Sequence, residues 1–152
     1  MTEHHLAQLN VARMRGPLES PLMAAFVASL EAINRLAEES AGFVWRLQTE
    51  AGDATSLRPL GDELLVNVSV WITPEALTAF VYRSAHASLM KRRREWFDPL
   101  AEAHTVLWWV PCGHRPTVDE ALERLAELRE HGPTPRAFTF RDAYAANSVR
   151  RS

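Results

Sequence analysis

The stretch LLVNVSVWITPEALTAF, residues 64–80, contains a strand and the start of a helix, and it decides the fold. Along LLVNVSVW two sets of side chains alternate, Leu64, Val66, Val68 and Val70 on one side and Leu65, Asn67, Ser69 and Trp71 on the other. This period of two predicts a β-strand. Thr73 and Pro74 then form a cap followed by proline, which predicts a helix that runs to about Arg94.

The residues before and after this stretch extend the same pattern. LAQLNVAR, residues 6–13, and GFVWRLQTE, residues 42–50, alternate as strands, and between them Ser20 and Pro21 open an amphipathic helix. HTVLWWVP, residues 104–111, is rich in β-branched and aromatic residues and predicts a fourth strand. The order predicts an α+β fold of the ferredoxin-like βαββαβ type, with both helices on one face of an antiparallel sheet.

The rest of the chain adds a C-terminal helix and a tail. Thr117 and Glu120 form a capping box, and Gly132 ends the helix. We expect one domain over residues 1–152, with a core at about 5–131 and a tail at 132–152 whose aromatic residues pack against the body or a partner subunit.

Composition excludes several classes of function. The 152 residues are 47% hydrophobic with a net charge of −2, which predicts one core and no nucleic-acid partner. No apolar run is long enough to span a membrane, and the first ten residues are unlike a signal peptide, so a cytoplasmic protein is expected. The single cysteine, Cys112, and the spacing of the histidines predict no metal site.

Apolar residues on both faces of the predicted sheet indicate a second layer. They are Leu9, Val11, Val66, Val68, Leu107 and Trp109. Because two helices cover only one face, we expect a homodimer in which two sheets meet.

The segment VSVWITPEALTAFVYRSAH resembles the tryptophan-helix-histidine stretch of the dimeric α/β-barrel superfamily, which includes antibiotic-biosynthesis and haem-degrading monooxygenases. LAQLNVARMR, GFVWRLQ, RRREWF and LWWVPCGHRPTVDEALERL resemble, more narrowly, a bacterial family that carries a domain-of-unknown-function label. The resemblance implies a dimeric barrel with a pocket between sheet and helices. Asn10 and Phe80 of this chain match the positions of two pocket residues in the haem degraders of the superfamily. Met90, however, stands where the resemblance leads one to expect their histidine ligand. We therefore predict no cofactor, with haem the less favoured alternative.

Polar residues on the first and third strands are the first candidates for a binding site. Gln8 and Asn10 are expected to share a face with Asn67, Ser69 and Trp71. Amides and a hydroxyl among aromatic rings suit a small-molecule pocket. The alternative is that these groups bond to one another, or to water, in a packed core.

His86 is the candidate for proton transfer because an imidazole titrates near neutral pH. Along the second helix, however, the 100° step per residue places His86 almost opposite the buried stripe, which favours a solvent-facing residue instead. Arg94 and Trp96 are candidates for binding an anionic group at the pocket mouth, although cations near a helix C-terminus are also explained by its dipole.

Taken with the resemblance, these residues predict a small-molecule enzyme, such as a cofactor-independent monooxygenase or a related isomerase or cyclase, with an aromatic or polyketide-like substrate. The predicted catalytic residues are His86 and Asn10. The predicted binding residues are Gln8, Asn67, Ser69, Trp71, Phe80, Met90, Arg94 and Trp96. The alternative is a non-catalytic ligand-binding or dimeric assembly module.

Overall fold

The longest strand, β1 (His4–Met14), lies inside an antiparallel sheet and pairs on both sides. In the computed structural model, which describes residues 4–50, 52–84 and 86–146, a 3₁₀ turn (Pro21–Met23) follows it. The remaining elements are α1 (Ala24–Glu39), β2 (Phe43–Arg46), β3 (Leu64–Trp71), α2 (Pro74–Arg83), α3 (His86–Lys91), α4 (Arg93–Trp96), β4 (Phe97–Asp98), β5 (Thr105–Pro111) and α5 (Val118–His131).

The strand order confirms the predicted ferredoxin-like fold. β3 pairs with one side of β1, β2 pairs with the outer side of β3, and β5 pairs with the other side of β1. The order is therefore β2-β3-β1-β5, and the two-residue β4, which the sequence did not predict, pairs with the end of β1 beside β5. β2 is also shorter than the predicted strand over residues 42–50, because it ends at Arg46.

Both faces of the sheet are covered within one chain, which corrects the premise of the predicted dimer. The face that carries Leu9 and Val68 packs against α5, through Ala121, Leu125 and Leu128. From the sequence we expected helices on one face only, with α5 as an addition to the core. The amphipathic stripe of α5 instead buries the apolar sheet face in the place assigned to a second subunit.

The helix predicted from Pro74 to about Arg94 is wrong, because the chain forms three short helices there. α2 ends at Arg83, and Ser84 has extended backbone angles, φ −106° and ψ −175°. The Ser84 hydroxyl donates to the carbonyl of Phe80 and accepts a hydrogen bond from the backbone N–H of His86 at 3.1 Å. Serine competes in this way with backbone helix bonds, which explains the break.

The helix caps agree with the sequence in two cases of three. The Thr73 and Thr117 hydroxyls accept hydrogen bonds from the backbone N–H of Ala76 and Glu120 respectively, as predicted. Ser20, which we expected to cap the first helix, donates instead to the carbonyl of Pro17.

The tail packs against the body of the protein, which was one of the two placements predicted for it. Phe138 is buried and exchanges two backbone hydrogen bonds with Leu107 at the outer edge of β5. No helix in the described part of the chain is long and apolar enough to cross a membrane.

Candidate functional site

A polar strip crosses the face of the sheet opposite α5, between two apolar clusters. The cluster at one end is built on Leu6, Trp71 and Leu107, and the cluster at the other end is built on Met14, Leu65 and Trp96. We call the residues between them the polar strip: Gln8, Asn10, Asn67, Ser69 and Thr105. Asn67, Asn10 and Thr105 form one row across β3, β1 and β5, and Ser69 and Gln8 lie opposite each other in the next row. The strip therefore brings together the polar residues that the sequence placed on one face.

Gln8 and Ser69 form the buried half of the strip, each with 7% of its surface exposed. The Gln8 side-chain Nε2 donates to Ser69 Oγ at 2.8 Å and to Asn67 Oδ1 at 2.6 Å. Trp71 Nε1 donates to the same Ser69 Oγ at 2.8 Å. These groups therefore bond to one another, as the alternative interpretation of the strip predicted.

Asn10 and Asn67 form the outer half of the strip. They are directly paired across β1 and β3, so their Cβ atoms are about 5 Å apart. Thr105 Oγ1 donates to Asn10 Oδ1 at 3.0 Å, and Asn67 Oδ1 is bonded by Gln8. Both amide oxygens are thus occupied, whereas neither Nδ2 has a hydrogen-bond partner among the described residues. Asn67 is exposed and Asn10 half-buried, so the two amino groups remain reachable from solvent.

α3 lies over the polar strip and has no fully buried residue of its own. His86 at the start of α3 contacts Phe80, which packs on the first cluster, and Leu89 packs on the second cluster. α3 therefore spans the strip from one cluster to the other. We call the region where α3 faces the polar strip the cleft.

His86 is partly buried at the end of an aromatic series, which corrects the solvent-facing placement. Phe43 packs edge-on against Trp71, Trp71 stacks on Phe80 with centroids 5.2 Å apart, and Phe80 contacts the imidazole at 4.9 Å. The helical-wheel estimate failed because the helix breaks before His86.

Burial lowers the pKa of His86 below its usual 6.5, and a hydrogen bond to the carbonyl of Val81 opposes this shift. His86 Nδ1 lies 3.2 Å from that carbonyl, which can only accept. Nδ1 therefore carries the proton of the neutral ring, and the lone pair is on Nε2.

The remaining predicted binding residues lie around the second cluster. Met90 is half-buried on α3, one turn after His86. Trp96 is only 1% exposed and packs against Phe26, with the Arg92 guanidinium over its ring at 4.7 Å, so it belongs to the core. Arg94 is exposed, and its backbone carbonyl accepts a hydrogen bond from Arg15.

Two residues of the site were missed from the sequence. Thr105 orients Asn10, and the alternation of HTVLWWVP together with strand pairing is the signal that could have placed it on this face. Val81 acts through its backbone carbonyl, for which a sequence carries no signal.

Two surface hollows lie elsewhere. One, of about 470 Å³, is bounded by Leu60, Glu102 and α5, and the other, of about 340 Å³, lies beside Arg13 and residues 60–64. Neither is lined by a predicted site residue. Within the described residues, no group of three or more His, Cys, Asp or Glu side chains is placed to hold a metal ion.

The chain belongs to the family DUF3291, described as a domain of unknown function, whose model matches residues 5–152. This confirms the narrower resemblance noted in the sequence. No curated protein matches the chain.

Several solved structures resemble the chain at low identity. PA3566 from Pseudomonas aeruginosa is 12% identical, with a TM-score of 0.48 over 77% of this chain and 99% of its own. SnoaB, a cofactor-independent oxygenase from Streptomyces nogalater, is 15% identical, with a TM-score of 0.47 over 77% of this chain and 98% of its own. A Chloroflexus aurantiacus protein, provisionally described as an antibiotic biosynthesis monooxygenase, is 17% identical, with a TM-score of 0.46 over 74% and 97%. At these identities the likeness concerns the fold alone.

Proposed function

We propose that the cleft binds a small oxygen-bearing molecule and that His86 removes a proton from it without a cofactor. The observation that carries the proposal is the hydrogen bond that orients the imidazole. The Val81 carbonyl, 3.2 Å from Nδ1, fixes the proton of the neutral ring on Nδ1 and leaves the Nε2 lone pair available, and burial lowers the pKa of the ring. A neutral imidazole with an available lone pair is a general base.

The outer half of the polar strip supports the same chemistry. When a phenol or enol loses its proton to Nε2, the electron pair of the broken bond stays on the substrate and negative charge develops on its oxygen. The amino groups of Asn10 and Asn67 would donate hydrogen bonds to that oxygen and stabilise its charge. The half-buried Phe80 would form the wall beside an aromatic substrate, and Trp71, which is only 1% exposed, would support that ring from the core.

Formation of this anion is the first step shared by the reactions that the sequence predicts. Cofactor-independent monooxygenation, isomerisation and cyclisation of an aromatic or polyketide-like compound can each begin with an electron-rich phenolate or enolate. The proposal therefore concerns the proton transfer, and the fate of the anion is read from the product.

A non-catalytic binding or assembly module is the second candidate, because Gln8 and Ser69 satisfy each other within the strip. The predicted homodimer stays a prediction without its original basis, since α5 covers the sheet face in question. A pair of chains would have to meet through another surface, and analytical ultracentrifugation at micromolar concentration measures whether they do.

Turnover of a panel of electron-rich phenols and quinols tests the proposal, with oxygen uptake and product mass as readouts. Replacing a general base reduces the rate by about 10²-fold or more, so His86→Ala should lose activity to that extent. His104→Ala is the matched control, because His104 is exposed and its side chain is outside the cleft. Full activity of His86→Ala would refute the base, and binding without turnover in the wild type would favour the module. Titration with hemin tests the haem alternative, which predicts a Soret band.

A further inference from the structure

Trp71 and Gln8 both donate to the Ser69 hydroxyl in the buried half of the strip. An indole N–H can only donate, so Ser69 Oγ accepts from it. The same oxygen accepts from Gln8 Nε2, whose second hydrogen is directed to Asn67 Oδ1. Both hydrogens of the Gln8 amino group are therefore used inside the protein.

This arrangement decides which end of Asn67 faces the cleft. The two ends of a side-chain amide are nearly equal in size, and the last torsion of asparagine has a broad, twofold preference. Shape alone would therefore allow either the oxygen or the amino group to face outward. The Gln8 donor holds the oxygen inward and leaves the amino group outward, beside the amino group of Asn10.

We infer that Gln8 is a positioning residue that makes the cleft selective for a ligand oxygen that only accepts hydrogen bonds, such as a phenolate, an enolate or a carbonyl. From the sequence, Gln8 was predicted to bind the substrate directly. With 7% of its surface exposed and both donor hydrogens occupied, it acts instead through Asn67. This inference rests on the proposed function only in taking the cleft as the ligand site.

Two substitutions separate the direction of the hydrogen bond from its mere presence. Gln8→Glu keeps the shape but replaces the donor by a carboxylate that accepts, so Asn67 should turn its amino group inward and its oxygen outward. Gln8→Met keeps the length and removes the polar group, so Asn67 should be free to adopt either orientation.

The probes are 4-nitrophenolate and 4-nitroaniline, which share a ring and present an acceptor or a donor at the same position. Binding is measured by absorbance titration, at a pH where the introduced carboxylate is ionised. Gln8→Glu should bind 4-nitrophenolate about tenfold or more weaker, and 4-nitroaniline tighter, than the wild type. Gln8→Met should change either affinity by about threefold or less, because a freed amide loses only its preference between two orientations.

Loss of 4-nitrophenolate binding without any gain in 4-nitroaniline binding would overturn the inference, because charge repulsion alone would then explain Gln8→Glu. Amide hydrogen exchange by NMR supplies a readout that needs no ligand. The Gln8 amino hydrogens should exchange more slowly than those of Asn67, and Ser69→Ala should accelerate them. Equal exchange of the two amides would refute the inference that Gln8 positions Asn67 through its hydrogen bond. A protein that binds neither probe but shows the expected exchange would count against the proposed function alone.

Discussion

Phe80 links the sheet to His86, and replacing it by alanine should change both stability and the pKa of the imidazole. The ring stacks on Trp71 and contacts His86, and it is half-buried. A fully buried phenylalanine costs about 3–5 kcal/mol when it is replaced by alanine, so a half-buried one should cost about 2 kcal/mol. About 1 kcal/mol of that belongs to the ring contacts.

The same substitution should raise the pKa of His86 toward 6.5, because water enters the space left by the ring and relieves the desolvation that lowers it. Urea denaturation measures the first effect, and an NMR titration of the imidazole carbon-bound protons measures the second. Tyr82→Ala is the control, since this side chain on the same helix is 55% exposed and contacts the tail instead. An unchanged His86 pKa in Phe80→Ala would refute the claim that the aromatic series buries the imidazole.

Three further predictions concern stability. Burial holds the folded His86 pKa below 6.5, so the unfolded chain binds a proton first as the pH falls. The wild type should therefore lose stability as the pH falls from 6.5 to the folded pKa. His86→Gln should lose less stability over this range, which urea titrations across pH measure. Leu125→Ala should lower the free energy of unfolding by about 3 kcal/mol in the same assay, because Leu125 packs α5 on the sheet. The exposed control Ala126→Ser should lower it by about 0.5 kcal/mol or less, and equal effects would contradict that packing. Trp71→Phe should keep the ring contacts but cost about 1 kcal/mol through its lost donor, and an unchanged unfolding midpoint would show that the hydrogen bond is not needed.

The strands and every residue of the polar strip except Thr105 could be predicted from the sequence because they depend on local alternation. Period two placed Asn67, Ser69 and Trp71 on one side of β3, and the ferredoxin-like order then brought β1 beside it. Thr73 followed by Pro74 located the start of α2, because a helix cap is also a local signal.

The helix break and the role of α5 could not be predicted in this way. Ser84 ends α2 through a side-chain hydrogen bond that competes with the helix, and residues before it give no periodic signal of that competition. The amphipathic stripe of α5 is visible in the sequence, but the face that it covers is a tertiary choice. The His86 environment depends on the break, so its burial was missed together with it.

NMR titration of the wild type with 4-nitrophenolate tests the central claim, that the cleft beneath α3 is a ligand site, most directly. The side-chain amide signals of Asn10 and Asn67 and the imidazole signals of His86 should shift together and fit one Kd. Shifts confined to the hollow beside α5, at Leu122 and Arg129, or no shifts at saturating probe, would contradict it.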